Sequence, residues 1–376
     1  AVELMRRAML DVYANYGYEL VSPPLIEYLE SLYTGTGNDL DLQTFKVTDQ
    51  LTGRMMGVRA DITPQVARID AHLLKTTGIS RLCYADTVLH TRPAHTLTNR
   101  SPLQIGCELF GEKSQAADIE VISLMLETLS IANITDIHID LAHVGIYKGL
   151  IASSGLDKLT EERVFDALSR KSIPELDALA QQVSENKQII LLIRDIANLS
   201  GGVQALAKIR ASVERLSLAS AATILSALDE LQTITQQIQQ RFPTIEIGFD
   251  FCELRGYNYH TGIMFSAFTL NYGHALAKGG RYDDVGKDFG ESRPATGFSA
   301  DLKTLLRVSN KRAGNSKDTN NSILAPVGCD DALLSKIAEL RKSSRVIQQL
   351  NEHTSETFAC QQRLVFKDQR WQLEEI

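Results

Sequence analysis

Glu253-Leu254-Arg255-Gly256-Tyr257-Asn258-Tyr259-His260-Thr261-Gly262, followed by Lys278-Gly279-Gly280-Arg281-Tyr282-Asp283, is the stretch that organises the rest of the chain. Strand patterns run through and around it at Ile245–Phe251, Gly262–Phe268 and Ala275-Leu276-Ala277. It sets an arginine, aromatic side chains and glycines that permit close backbone approach on adjacent strands. Taken alone, Gly279-Gly280 reads as a turn.

Two stretches upstream complete the pattern. In Gln104-Ile105-Gly106-Cys107-Glu108, Gln104 and Glu108 are four apart, so a strand points both to one face. In Arg59-Ala60-Asp61-Ile62-Thr63-Pro64 an acid and a hydroxyl meet a helix start, with Thr63 expected as N-cap and Pro64 at the first helical position. Each is ordinary by itself: a solvated strand face, or a plain helix start. Jointly they suit a small zwitterion, with carboxylates for an amine and an arginine for a carboxylate. Gly35-Thr36-Gly37 makes no phosphate cradle.

Around these stretches the periodicity predicts an opening helix with Met5, Met9, Val12, Tyr13 and Tyr16 on one face, ended by Gly17. A short strand at Tyr18–Val21 follows, then two strands, Thr44–Thr48 and Gly53–Arg59, joined by a turn over Asp49–Gly53. The helix from Thr63 carries Val66, Ile69, Leu73 and Leu74 on one face. Strands are expected at Arg81–His90, Leu103–Phe110 and Asp136–Leu141, with a helix from about Ala116 to Ile131 between the last two. From about 145 to 242 the chain turns rich in Ala, Leu, Ser and Gln, as in an all-helical insertion, with Ile224, Leu228, Leu231 and Ile238 on one face. The polar run Ser309–Asn321 reads as a linker, before an α/β-like remnant.

The 376 residues imply two or three domains, and 44% hydrophobic against 23% charged residues is an ordinary globular balance. A net charge of −7 gives no global pull on nucleic acid or anionic membrane. The densest apolar run, Ile189–Ile193, stops at Arg194, well short of the ~20 residues a membrane span needs. The first residues, with Glu3, Arg6 and Arg7, do not read as a signal peptide. The five cysteines are widely spread, as reduced thiols in a cytoplasmic protein would be. No CxxC, HExxH or Cys/His cluster has metal-ligand spacing, so neither metal nor cofactor is expected.

The motif order resembles that of histidyl-tRNA synthetases. Leu254–Gly262 is similar to their RG-x-D-Y-Y-T-G, Gly279–Asp283 matches G-G-R-Y-D, Gln104–Glu108 matches Q-x-G-x-E, and Val58–Thr63 stands where they carry L-R-P-E-G-T. The likeness covers about residues 1–308. It implies an α+β fold: a class II aminoacyl-tRNA synthetase-like antiparallel sheet flanked by helices, usually paired as a dimer. Residues 1–145 and 243–308 would be the two parts of the core, 146–242 the helical insertion, and 309–376 the linker and short C-terminal remnant. The resemblance also implies a histidine site. Asp61, Thr63 and Gln104 would hold the α-amine and Glu108 an imidazole N–H. Arg255 would reach the carboxylate, and Tyr259, His260 and Tyr282 would line the side-chain pocket. Asp61 replaces a longer Glu, and His260 a Tyr.

The departures bear on ATP. Against the synthetase's F-R-Y-E-R-P, Val88-Leu89-His90-Thr91-Arg92-Pro93 puts leucine on the α-phosphate arginine and threonine on the glutamate that meets the adenine side. Thr304 stands where motif 3 has its adenine-stacking arginine. Leucine cannot pair with phosphate, and threonine brings neither charge nor a stacking plane. Arg92 and Arg100 remain nearby as candidate substitutes. The tail is too short for the usual anticodon-binding domain.

A synthetase core that keeps amino-acid contacts and loses ATP contacts resembles the regulatory subunits of ATP phosphoribosyltransferase, the first enzyme of histidine biosynthesis. Asp61-Ile62-Thr63-Pro64-Gln65-Val66-Ala67-Arg68 is close to their D-I-T-P-Q-V-A-R. This resemblance implies a chain with no catalytic residues of its own. It would pair with itself and with a short-form catalytic subunit, activate that subunit, and convey feedback inhibition by histidine, without nucleic acid or membrane. An active histidyl-tRNA synthetase and a free-standing amino-acid sensor with another partner are the alternatives.

Overall fold

The computed structural model describes residues 1–33, 38–93, 99–183, 186–199, 201–254, 256–257, 259–270, 272–284, 292–312, 322–350 and 360–376. The chain divides into two compact units, Ala1–Arg312 and Ala313–Ile376.

The first unit opens with α1 (Val2–Asn15), which buries Met9 and Tyr13. The short β1 (Glu19–Leu20) follows. Next come β2 (Ile26–Tyr28), α2 (Leu29–Tyr33), α3 (Asn38–Gln43), β3 (Phe45–Thr48) and β4 (Met55–Val58). Strands β2, β4 and β3 form a small antiparallel sheet, and the turn between β3 and β4 has Gly53 at φ +70°.

Helix α4 (Thr63–Arg68) continues as a π-helical turn, Ile69–Leu74. The structure corrects two expectations here. The N-cap position is Ile62, with no side-chain cap, and Thr63 is already helical. Leu73 and Leu74 face solvent and do not extend the buried face of Val66, because the wider π turn rotates the helix out of its 3.6-residue register.

Then come β5 (Ser80–Thr87), β6 (Leu103–Phe110), α5 (Gln115–Ile131) and β7 (Ile137–His143). Six helices follow without a strand: α6 (Val144–Ser154), α7 (Lys158–Ser169), α8 (Ile173–Gln182), α9 (Lys187–Ala197), α10 (Gln204–Leu216) and α11 (Ala221–Arg241). The unit closes with β8 (Glu246–Phe249), β9 (Ile263–Thr269), β10 (Tyr272–Arg281), β11 (Ala295–Asp301) and α12 (Leu302–Arg312). Gly279 and Gly280 lie inside β10, so they are strand residues and not a turn. Helix α12 continues through Ser309–Arg312, where polar composition predicts a linker; 313–321 fall outside the described residues.

The main sheet has eight strands in the order β1-β5-β6-β11-β10-β9-β7-β8. Its outer pairs, β1 with β5 and β7 with β8, are parallel, and the inner pairs are antiparallel. Helix α5 is apolar nearly all round, as a helix packed on several sides must be, and buries Val121, Ile122, Leu124, Met125 and Leu129. One continuous core joins the sheet, α1, α5, α12 and the helices α6–α11. The second unit has β12 (Ser322–Ala325), α13 (Asp331–Leu340), β13 (Arg345–Gln348), β14 (Gln362–Lys367) and β15 (Arg370–Glu375), in sheet order β13-β12-β14-β15.

Candidate ligand-binding site

Register places the site. Glu108 on β6 pairs with Gly297 on β11, which pairs with Gly280 on β10. Glycine at 297 is a steric requirement, since a Cβ there would lie 1.7 Å from Glu108 Oε2. A cavity of about 210 Å³ opens on this face, lined among others by Asp61, Thr63, Glu108, Tyr259, His260 and Tyr282. Six of the eight residues expected to bind a ligand therefore meet around one space. Gln104 is tied to it through Asp61, and Arg255 lies outside the described residues.

Glu108 is 1% exposed. The Thr63 hydroxyl donates to Oε1 at 2.9 Å and the Tyr84 phenol to the same oxygen at 3.0 Å, while the Tyr282 phenol meets Oε2. These bonds favour the carboxylate, but burial outweighs them and pushes the carboxyl up to about 8. Asp61 Oδ1 accepts from the Thr63 N–H at 3.0 Å and from Gln104 Nε2 at 2.8 Å, and Gln104 Oε1 accepts from the Ile62 N–H at 3.0 Å. Gln104 thus locks the turn that presents Asp61.

On the opposite wall Tyr259 stacks on Tyr282 with centroids 5.0 Å apart. The Tyr259 hydroxyl is buried and has no hydrogen-bond partner among the described residues. An orphaned phenol costs about 1–3 kcal/mol, so it suits a ligand-facing group. His260 donates from Nδ1 to the Arg281 carbonyl at 3.3 Å, and burial lowers its pKa to about 4, so the ring is neutral at pH 7. Lys148 on α6 donates to the His260 carbonyl at 3.0 Å.

Arg281 turns away from the cavity. Its guanidinium holds Asp118 on α5 at 2.8 Å and reaches the Glu112 and Ser114 carbonyls. Its carbonyl accepts from the Thr261 N–H at 2.8 Å, so one buried arginine fixes the wall carrying Tyr259 and His260. Sequence reasoning did not single out Tyr84. Only the β5–β6 register, Tyr84 opposite Gly106, brings it onto the Glu108 face. Glu253, Lys278 and Ser299, also unassigned beforehand, line the cavity too.

Leu89 follows the end of β5, and its N–H donates to the Arg59 carbonyl. Thr304 is buried, and its hydroxyl donates to Asp301 at 2.7 Å. Arg59 is fully buried on the Pro23 and Thr87 carbonyls and Asp86. Arg100 donates to the His90 carbonyl at 3.1 Å and lies over the Phe45 ring. Among the described residues no group of three or more His, Cys, Asp or Glu is placed to hold a metal ion, and no helix is long and apolar enough to cross a membrane.

The sequence model of the histidyl-tRNA synthetase family matches residues 1–305, and that of the ATP phosphoribosyltransferase subunit HisZ C-terminal domain matches 320–374. The chain is 53% identical to the ATP phosphoribosyltransferase regulatory subunit of Marinobacter nauticus, over 100% of this chain and 94% of the relative. It is 47% identical to the protein of the same name from Pseudomonas putida, over 99% and 93%. Among solved structures, an ATP phosphoribosyltransferase regulatory subunit/histidyl-tRNA synthetase from Bacillus halodurans shares the fold with a TM-score of 0.79 at 23% identity, over 95% of this chain and 90% of that one. Histidyl-tRNA synthetase from Nostoc does so with 0.77 at 19%, over 97% and 87%. The α+β synthetase-like architecture expected from the motif order is thereby established. With matches of this extent and identity, the chain belongs to the ATP phosphoribosyltransferase regulatory subunits, a family built on the histidyl-tRNA synthetase fold.

Proposed function

We propose that this chain is a non-catalytic subunit that binds free histidine in the 210 Å³ cavity and passes its occupancy to a short-form ATP phosphoribosyltransferase catalytic subunit. The observation that carries the site is the pairing of a buried, titratable Glu108 with the orphaned Tyr259 hydroxyl, beside Asp61, Thr63 and Gln104. An imidazole offers two ring nitrogens to such a pair, one to donate and one to accept. The α-ammonium goes to Asp61 and the Thr63–Gln104 side, and the resemblance gives the carboxylate to Arg255, which lies outside the described residues. Tyr282 and His260 complete the wall. Histidine held there biases a two-state complex, and a coupling of about 1–3 kcal/mol is enough for useful regulation.

The non-catalytic assignment rests on Leu89 and Thr304, which supply no charge where a synthetase needs two arginines for ATP. Of the two candidate substitutes, Arg100 donates from Nε to the His90 carbonyl, and Arg92 is the other cation of that segment. The chain would work in the cytoplasm as a homodimer within a hetero-oligomer, without nucleic acid. The test mixes the full chain with the catalytic subunit and measures turnover, sizing and histidine inhibition. Co-elution, raised turnover and inhibition by histidine support the proposal; two proteins that ignore each other overturn it. Histidine-dependent ATP–pyrophosphate exchange above background would restore the synthetase alternative.

A further inference from the structure

Among the described residues the buried acids are Asp70, Glu108 and Asp118. Glu108 belongs to the site and Asp118 holds Arg281. Asp70, with its side chain 2% exposed, meets Arg293. Arg293 Nη1 donates to Asp70 Oδ2 at 2.5 Å, and Nη2 donates to the Gly78 carbonyl. Gly111, at φ +92°, makes room for this guanidinium, since a Cβ there would lie 2.6 Å from Arg293 Nη2. Asp70 Oδ1 is buried and has no hydrogen-bond partner among the described residues. A buried ion pair left incomplete in this way adds little stability, and apolar side chains of similar volume would do as well or better. What the pair does supply is a fixed distance.

That distance lies between α4 and the β6–β11 pair. Thr63 and Asp70 are close to two turns apart on one helical segment, so they share a face about 10 Å apart. On the sheet, Gly297 pairs with Glu108, and Arg293 stands about 13 Å of extended chain before it. The Thr63–Glu108 and Asp70–Arg293 contacts are thus two rungs between the same helix and the same strand pair. The backbone after Arg293 is pinned on both sides. The Pro294 carbonyl accepts from the Gly111 N–H at 2.7 Å, at the end of β6. The Ala295 N–H donates to Asp283 at 3.0 Å, and its carbonyl accepts from the Tyr282 N–H at 2.8 Å. Tyr282 in turn carries the phenol that meets Glu108. Asp70 also sits in the π turn, a geometry frequent at functional sites.

We propose that Asp70 and Arg293 are positioning residues for the ligand. Their pair sets the gap between α4 and the β10–β11 wall, so that Thr63 from one side and Tyr282 from the other reach Glu108 together. Neither residue touches the ligand; both act through the placement of the Glu108 carboxyl group. The proposal rests on the histidine reading of the cavity.

The test is a double-mutant cycle on the full chain, read by calorimetry with L-histidine. Asp70→Asn combined with Arg293→Met removes the pair without stranding a charge, and thermal unfolding checks that the variant is folded. The expected result is a ~10-fold loss of affinity when Glu108 is present and ~2-fold or less beside Glu108→Gln. Arg293→Lys, which keeps a cation for Asp70, should stay within ~3-fold of wild type. If the combined change unfolds the chain, Asp70→Asn alone takes its place, with a ~5-fold loss expected, again only where Glu108 is present. Equal losses with and without Glu108 would mean that the pair supports the fold generally. Unchanged affinity in a folded variant would mean that the gap is set elsewhere. A loss in Arg293→Lys as large as in the combined change would mean that the charge on Asp70 is not what counts. Each of these overturns the proposal and leaves the histidine reading standing. Wild type that binds no histidine overturns that reading, and this proposal falls with it.

Discussion

The Thr63 hydroxyl donates to the Glu108 carboxylate at 2.9 Å across 45 residues of sequence. It is therefore unavailable to cap α4, although Thr63-Pro64 looks like a helix start. The hydroxyl serves the site, and the helix begins one residue early, at Thr63, with Ile62 in the N-cap position.

This separates two explanations of the same threonine. Thr63→Ser should be nearly silent, and Thr63→Val should cost about 1 kcal/mol for one lost buried hydrogen bond. Aspartate is as good a cap as threonine. Beside Glu108, however, it adds a second acid to a buried site, so Thr63→Asp should be the most destabilising of the three. Urea unfolding at pH 7 measures the series; wild-type stability in Thr63→Asp would mean that Thr63 acts as a cap after all.

Glu108→Gln keeps size and an acceptor oxygen but removes the ionisable group. A charge-assisted hydrogen bond contributes about 1.5–3 kcal/mol, so histidine affinity should fall roughly 10–150-fold. In the complex with the catalytic subunit, inhibition by histidine should weaken while activation persists, because activation needs the assembled surface and not the pocket. Calorimetry and inhibition curves check the two halves. Unchanged inhibition in a folded variant would move the feedback site elsewhere.

Much of this site was legible because its signals are short-range. Period-two alternation alone puts Gln104 and Glu108 on one face, and the structure keeps them there, four residues apart on β6. What escaped depends on pairing or on a local irregularity. Tyr84 reaches Glu108 only through the β5–β6 register, which no single strand encodes. Leu73 and Leu74 were misplaced because one π turn breaks the helical period. Gly279 and Gly280 resemble a turn, but neighbouring strands press on both: a Cβ at 279 would lie 2.3 Å from the Gly297 carbonyl and one at 280 would lie 2.7 Å from the Ile263 carbonyl. The strand thus needs glycine for packing and not for bending.

The Arg281–Asp118 pair is buried on both sides and stands behind the site wall. Asp118→Ala strands a buried guanidinium and should cost about 3–5 kcal/mol, whereas Asp118→Leu combined with Arg281→Met should cost much less. Both changes should weaken histidine binding to the extent that they loosen the carbonyl of residue 281, which holds the Thr261 backbone N–H and the His260 ring Nδ1–H. Thermal unfolding and calorimetry together test this. A stability loss with unchanged affinity would make the pair purely structural.

The pH dependence of binding gives the sharpest test. In the empty site Glu108 holds its proton up to about pH 8 because of burial. Free histidine loses its ring proton near ~6.5. The bound pair of ring and carboxyl needs one proton between them. Below about pH 6.5 the separated partners carry two, so binding releases one and affinity rises with pH. Above about pH 8 they carry none, so binding takes one up and affinity falls as pH rises. Between these limits the count is already one, and affinity should be flat. The folding linkage has the matching sign. An acid whose folded pKa is raised contributes stability that is complete below its unfolded pKa, 4.5, and is lost as pH rises through about 8. Wild type should therefore lose stability relative to Glu108→Gln across that window, and bound histidine should offset the loss. Calorimetry from pH 5.5 to 9 in buffers of different ionisation enthalpy reads the proton count, with a parallel series on Glu108→Gln subtracting the proton that the α-amine of histidine takes up above about pH 8. Proton uptake through pH 8.5 no greater than that of Glu108→Gln would show that Glu108 is already ionised in the empty site, and that the ring is recognised by a fixed charge and not by a shared proton.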